Sequence, residues 1–201
     1  VDASDVKVEV NDGSVRLTGT ATTLGAVHNA ASDAWSIRGV TDVENRIEVN
    51  LPSSPAVTVD DDSLRSSAED LLEWNPNIES KDIEVSANAG VLTLRGTVPT
   101  HWQKAWAQDL VEGLRGVLTV TNELVVAPAN TVSDATIAED VTAALERDAL
   151  VDAGQVDVTV MEGVVTLRGT VPSAAARHAA YGAASYTAGV INVRDELTIE
   201  R

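Results

Sequence analysis

A chain of 201 residues, 44% of them hydrophobic, can bury a real core, as one domain or as several small ones. Fourteen basic against 31 acidic residues leave a net charge of −17, and no local basic patch offsets that field, which excludes nucleic acid as a partner. The lack of cysteine removes disulfides, thiolate metal sites and thiol nucleophiles, and no apolar run approaches the roughly 18 residues of a membrane span.

The first residues lack the charged-then-apolar pattern of a secretory leader. Val6, Val8 and Val10 alternate with Lys7 and Glu9, which predicts a strand with one apolar face. Asn11-Asp12-Gly13 then signals a hairpin, because glycine adopts positive φ without steric cost. The returning strand carries Val15 and Leu17 on one face. A helix ending at Gly39 follows, and Val43, Ile47 and Val49 mark a third strand. The stretch Leu51-Pro52-Ser53-Ser54-Pro55-Ala56 reads as a short, semi-rigid linker.

The next segment, Ser63 to Trp74, carries Leu64, Ala68, Leu71 and Leu72 at helical spacing behind an acidic lead of Asp60, Asp61 and Asp62. A hairpin around Gly90 comes next, then a helix over Thr100 to Arg115 opened by Pro99, and a strand over Val117 to Val126. After the linker Ala127-Pro128-Ala129-Asn130 the same order returns. Ser133 to Leu150 is helical, with Ile137, Val141 and Leu145 on one face, and a hairpin, a helix ending at Gly189 and a last strand follow.

These segments are copies of one another. Thr93-Leu94-Arg95-Gly96-Thr97-Val98-Pro99 recurs identically as Thr166 to Pro172, and Arg16-Leu17-Thr18-Gly19-Thr20-Ala21 is a looser third version. Gly13, Gly90 and Gly163 fall in register upstream, and Gly39, Gly116 and Gly189 downstream. The expected fold is α+β: tandem two-layer sandwiches, each helix–strand–strand–helix–strand, with two helices on one face of a three-stranded sheet. Repeats are expected over 1–50, 60–127 and 132–201. The first has no leading helix, since Val1 aligns near Ile78; removal of upstream residues is the favoured explanation, and completion by a neighbouring chain the alternative.

With its Gly90 hairpin, the Leu94 to Val98 segment and Gly116-Val117 leading into Val120, Asn122, Leu124 and Val126, the chain resembles the BON family of bacterial osmotically inducible and nodulation domains. Gly39-Val40 leading into Val43, Asn45 and Ile47 repeats the ending, whereas the third copy places Asp195 where the others have asparagine. The resemblance implies a non-enzymatic module, periplasmic or envelope-associated, linked to phospholipid binding and osmotic stress. It brings no catalytic residue, metal or cofactor. A cytoplasmic location is the alternative.

The residues themselves lead to the same exclusion. His28, His101 and His178 show no metalloprotease spacing and read as solvated helix residues. No serine-hydrolase elbow or phosphate-binding loop is present. Asp60-Asp61-Asp62 lacks the spacing of a calcium loop and reads as solvated charge at a helix start.

The tryptophans carry more information, because there are only four, with two tyrosines and no phenylalanine. Trp102 and Trp106 lie beside the core stripe of their helix, where the sister copies have Gly25 and Asn29, or Ala175 and Ala179. With His101 and Lys104 alongside, they form a candidate contact ridge for lipid or partner, the competing reading being packing against a neighbouring domain. Trp35 either fills space left by the absent helix or touches a partner, and Trp74 is assigned to the core.

Two functions follow. The first is an envelope or osmotic-stress binding module docking on a phospholipid membrane or envelope protein through its helical faces. The second is a structural module acting by protein–protein contact or homo-oligomerisation. Seventeen Asp and 14 Glu also resemble a salt-adapted surface, for which higher thermal stability in molar salt is expected.

Overall fold

The computed structural model describes residues 5–37, 39–50, 60–128 and 130–200. The predicted linker over 51–56 lies outside these residues, as does Ala129 of the second linker. The elements run β1 (Val6–Asn11), β2 (Ser14–Ala21), α1 (Leu24–Ser36), β3 (Asp42–Val49), α2 (Asp61–Glu73), β4 (Ile83–Asn88), β5 (Val91–Val98), α3 (His101–Glu112), β6 (Thr119–Val126), α4 (Asp134–Arg147), β7 (Val156–Met161), β8 (Val164–Val171), α5 (Ala174–Ser185) and β9 (Asn192–Ile199). Mixed α+β architecture with repeated three-stranded sheets is what the periodicities called for. The chain divides into two compact units, Val1–Ala34 with Asp42–Val98 and Gln103–Val125, and Trp35–Thr41 with Pro99–Trp102 and Val126–Arg201.

Each sheet has its hairpin's second strand in the middle: β1-β2-β3, β4-β5-β6 and β7-β8-β9. The hairpins are antiparallel, with Val8 opposite Leu17, Val85 opposite Leu94 and Val158 opposite Leu167. β3 and β9 return parallel to β2 and β8, which requires the intervening helix to cross over one face. The hairpin turns place Asp12, Ala89 and Glu162 at φ between 46° and 52°, each followed by a glycine at positive φ, as two-residue turns of this hand demand.

Gly96 shows why the repeated motif needs glycine inside a strand. It sits at φ 115°, and a Cβ there would fall on the carbonyl oxygen of Asp82. Gly19 and Gly169 are held the same way against Asp5 and Gln155.

Helix starts are set by side-chain caps. Asp60 Oδ1 accepts from the Ser63 amide at 2.9 Å, Ser133 Oγ from Thr136 at 3.2 Å and Ser173 Oγ from Ala176 at 3.1 Å. Two helices are shorter than the periodicity suggested. α3 stops at Glu112 and α4 at Arg147, because the last apolar residues of each pattern belong to the turn that follows.

The third repeat has a closed core. Ile137, Val141 and Leu145 of α4 and Ala176, Ala180 and Ala184 of α5 pack on Val165, Leu167, Val171 and Leu197. The second repeat buries the corresponding Leu64, Ala68, Leu72, Leu92, Leu94, Val98, Ala107, Val111 and Leu124.

Candidate functional site

On the open sheet faces each repeat carries an ion pair between its second and third strands, and in the first Arg16 also lies 3.7 Å from Glu9 of β1. Arg16 Nε lies 2.6 Å from Glu44 Oε2, Arg95 Nε 2.7 Å from Glu123 Oε2, and Arg168 Nε 2.7 Å from Glu196 Oε2. The arginine's hydrogen bond is the main reason each of these glutamates is held below the usual carboxylate range. All these groups are solvated, so the pairs set register and face polarity rather than adding much stability. The arginine of the repeated Leu-Arg-Gly-Thr motif thus has a structural task.

A second recurring device joins the third strand to the helix. Asn45 Nδ2 donates to the Val27 carbonyl and Asn122 Nδ2 to the Lys104 carbonyl, both at 2.8 Å, while their Oδ1 atoms accept from the amides of Ile47 and Leu124. Where the third copy has Asp195, Arg177 occupies the helix position of Val27 and Lys104, and its Nε lies 2.8 Å from Asp195 Oδ2. The departure from the asparagine pattern is a compensated exchange. Lys104 contributes its backbone here.

Helix starts meet the helix ends of the following repeat. A Cβ on Gly25 would come within 3.3 Å of the Glu112 backbone, so α1 and α3 approach closely only because residue 25 is glycine. Glu112 is buried beside this contact, where its carboxylate accepts from Gln108 Nε2 at 2.8 Å and meets His28 Nδ1 at 2.6 Å. In the other compact unit His101 is buried, its Nε2 3.1 Å from the Tyr181 hydroxyl and its ring edge-on to that tyrosine. Trp102 stacks on Tyr186 with centroids 5.4 Å apart at 34°.

The structure therefore divides the predicted ridge. His101 is a buried helix-end contact, which corrects its reading as a solvated residue; an α5 tyrosine some 80 positions downstream covers it. Trp102, Lys104 and Trp106 are half-buried along α3, and Trp35 is half-buried at the end of α1. His28 is largely exposed but has a buried partner, which simple solvation did not anticipate.

Trp74 is a second correction, since it is 81% exposed rather than core. Ten residues beyond Leu64, at 100° per residue, it points well away from the Leu64–Ala68–Leu72 stripe, so the helical wheel carried the signal that was missed. Asp61 also does more than lead a helix: its carboxylate accepts from the Ala89 and Gly90 amides at 2.8 and 3.3 Å. Asp134 does the same at Glu162 and Gly163.

Among the described residues no group of three or more His, Cys, Asp or Glu could hold a metal ion, and no helix is long and apolar enough to cross a membrane. An open depression of about 460 Å³ between α4 and α5 is lined by alanines with Asp140, Arg147, Tyr186 and Thr187, which supply a charge of each sign.

A helix–strand–strand–helix–strand unit used in tandem, polar on its sheet face and aliphatic within, defines a small α+β module whose recurring residues serve geometry. The chain belongs to the BON domain family, which matches it over residues 1–50, 60–128 and 133–201. It is 32% identical over 145 residues to osmotically-inducible protein Y of Escherichia coli K12, covering 69% of this chain and 72% of that protein. Two structures of CdsD, a structural protein of the type III secretion system of Chlamydia trachomatis, align with 98% of this chain at 16% identity, covering 91% and 86% of their own chains. Their TM-score is 0.30 in both cases, a likeness too loose to bear on function.

Proposed function

We propose that this protein is a non-enzymatic binding module of the bacterial envelope, acting in the response to osmotic stress and docking through its helical faces on an envelope protein or a phospholipid surface. The observation that carries this reading is the relationship to osmotically-inducible protein Y over more than two thirds of both chains. An envelope protein is the partner that the charge favours. A net −17 opposes approach to an anionic bilayer unless divalent cations bridge acid to phosphate. Exposed Trp74 and Tyr186 supply aromatic area of the kind that anchors contacts on the helical side.

Co-sedimentation with anionic vesicles, with and without calcium, separates the two surfaces. Calcium-dependent pelleting that is lost in Trp74→Ser supports a lipid partner. No pelleting under either condition rejects lipid and leaves protein docking, which crosslinking in envelope extracts then tests. Catalytic turnover traced to a residue of this chain would overturn the non-enzymatic reading altogether.

A further inference from the structure

Asp61 and Asp134 cap equivalent turns, and Gly116 and Gly189 follow equivalent helices, so the second and third repeats can be compared position by position. Where the second has half-buried Leu71, Leu110 and Leu114 on its helices, the third has Ala144, Ala183 and Thr187. These smaller side chains line the open depression of about 460 Å³ between α4 and α5. Its volume is that of a small-ligand cleft.

The rim differs as well. Asp140 stands where the second repeat has Ser67, Arg147 where it has Trp74, and Tyr186 where it has Gly113. Asp140 and Arg147 are exposed, and neither is ion-paired among the described residues. They lie two helical turns apart on α4, about 10 Å along its axis, with Ala143 and Ala144 between them on the same face. A Cβ on Gly189, just beyond α5, would meet Val132 and Ile137 at the start of α4, so the two helices run antiparallel. Tyr186 and Thr187 therefore flank the Asp140 end of the cleft, and Arg147 stands at the other. Trp102 stacks on Tyr186 with centroids 5.4 Å apart, which holds that ring in place as a wall. The Thr187 hydroxyl donates to the Ala183 carbonyl at 2.9 Å, which leaves its oxygen as an acceptor.

We infer that this cleft binds a short free peptide by its two ends, the α-ammonium between the Asp140 carboxylate and the Tyr186 ring, the α-carboxylate on the Arg147 guanidinium. An ammonium is suited by a carboxylate and an aromatic face together, and a guanidinium grips a carboxylate through two parallel hydrogen bonds. Length sets the class. Extended backbone advances about 3.3 Å per residue, so three residues span the gap between the charges and a free amino acid covers a third of it. The alanine floor leaves room for an extended backbone with small side chains. Such a zwitterion carries no net charge, so the chain's −17 does not oppose its approach. The inference does not depend on whether the module docks on lipid or on protein.

Titration of the full chain with trialanine, followed by amide NMR, tests it. Saturable shifts at Ala144, Ala183 and Tyr186 are expected. Affinity should fall by about tenfold or more for alanine, for N-acetyl-trialanine and for trialanine amide, each of which loses an end or the span. Asp140→Asn and Arg147→Gln, both at solvated positions, should each weaken trialanine by about tenfold, and Asp140→Asn should leave the residual affinity for the N-acetyl peptide unchanged. Ala144→Leu with Ala183→Leu installs the side chains that the second repeat accommodates, and should abolish binding without lowering the melting temperature. Absence of shifts at millimolar trialanine, blocked peptides that bind as tightly as the free one, or binding that persists in the leucine-filled variant overturns the proposal.

Discussion

The first and third repeats pair their strands in the same register, Val8 with Leu17 and Val158 with Leu167, yet they are finished differently. In the third, α4 closes the core over the hairpin. Val190 is fully buried behind the helix-ending glycine, and a Cβ on that Gly189 would meet Val132 at 2.7 Å and Ile137 at 3.1 Å. In the first, Val40 is half-covered, and a Cβ on Gly39 would meet nothing within 4 Å. The hairpin and its parallel third strand therefore share one geometry in the two repeats. What α4 adds in the third is burial of one strand face.

The sharpest way to test this division is at the position both repeats need. Gly169→Ala puts a Cβ onto the Gln155 carbonyl at a φ of 130°, and a loss of about 3 kcal/mol in denaturant unfolding of the third repeat is expected. Gly19→Ala should disturb the first repeat in the same way, because the clash with Asp5 does not involve a leading helix. Core truncation should then separate the repeats. Leu145→Ala, at a fully buried site on α4, is expected to cost about 3 kcal/mol. Val8→Ala should stay within about 0.5 kcal/mol, and a large loss there would mean that the face is already covered.

Removing the hairpin cap should have an intermediate effect. Asp134→Ala leaves the Glu162 and Gly163 amides without their acceptor and is expected to cost about 1–2 kcal/mol, read as faster hydrogen exchange at those two amides.

The smallest effect concerns acid. Glu44, Glu123 and Glu196 all titrate below the ordinary glutamate value of 4.5 when folded, so their contribution is complete above that value and fades as pH falls through the lower folded one. Replacing all three with glutamine should flatten the acid limb of the unfolding curve below about pH 4.5 and lower the neutral plateau slightly, by the small contribution that solvated pairs make.

Much of this architecture was legible because period-two valines, hairpin glycines and a recurring Leu-Arg-Gly-Thr string are local signals, and they recur at matched spacing. The helix stripes were equally local, and Trp74 was misplaced only because its bulk was weighed above its angle. The contacts of the candidate ridge were less accessible. The fates of His101 and Trp102 depend on Tyr181 and Tyr186, and that of His28 on a glutamate 84 residues away, separations at which no periodicity connects the partners. The doubled role of Asp61 was hidden by its neighbours, since a run of three aspartates reads as bulk charge until one is seen reaching the turn.

The latch of the third repeat is asymmetric in what it tolerates. An asparagine at position 195 could reach the backbone oxygen of Arg177, as Asn122 reaches that of Lys104. A carboxylate without the guanidinium faces that oxygen with no proton to offer. Reverting the two singly is therefore predicted to be unequal: Asp195→Asn tolerated, Arg177→Ala not.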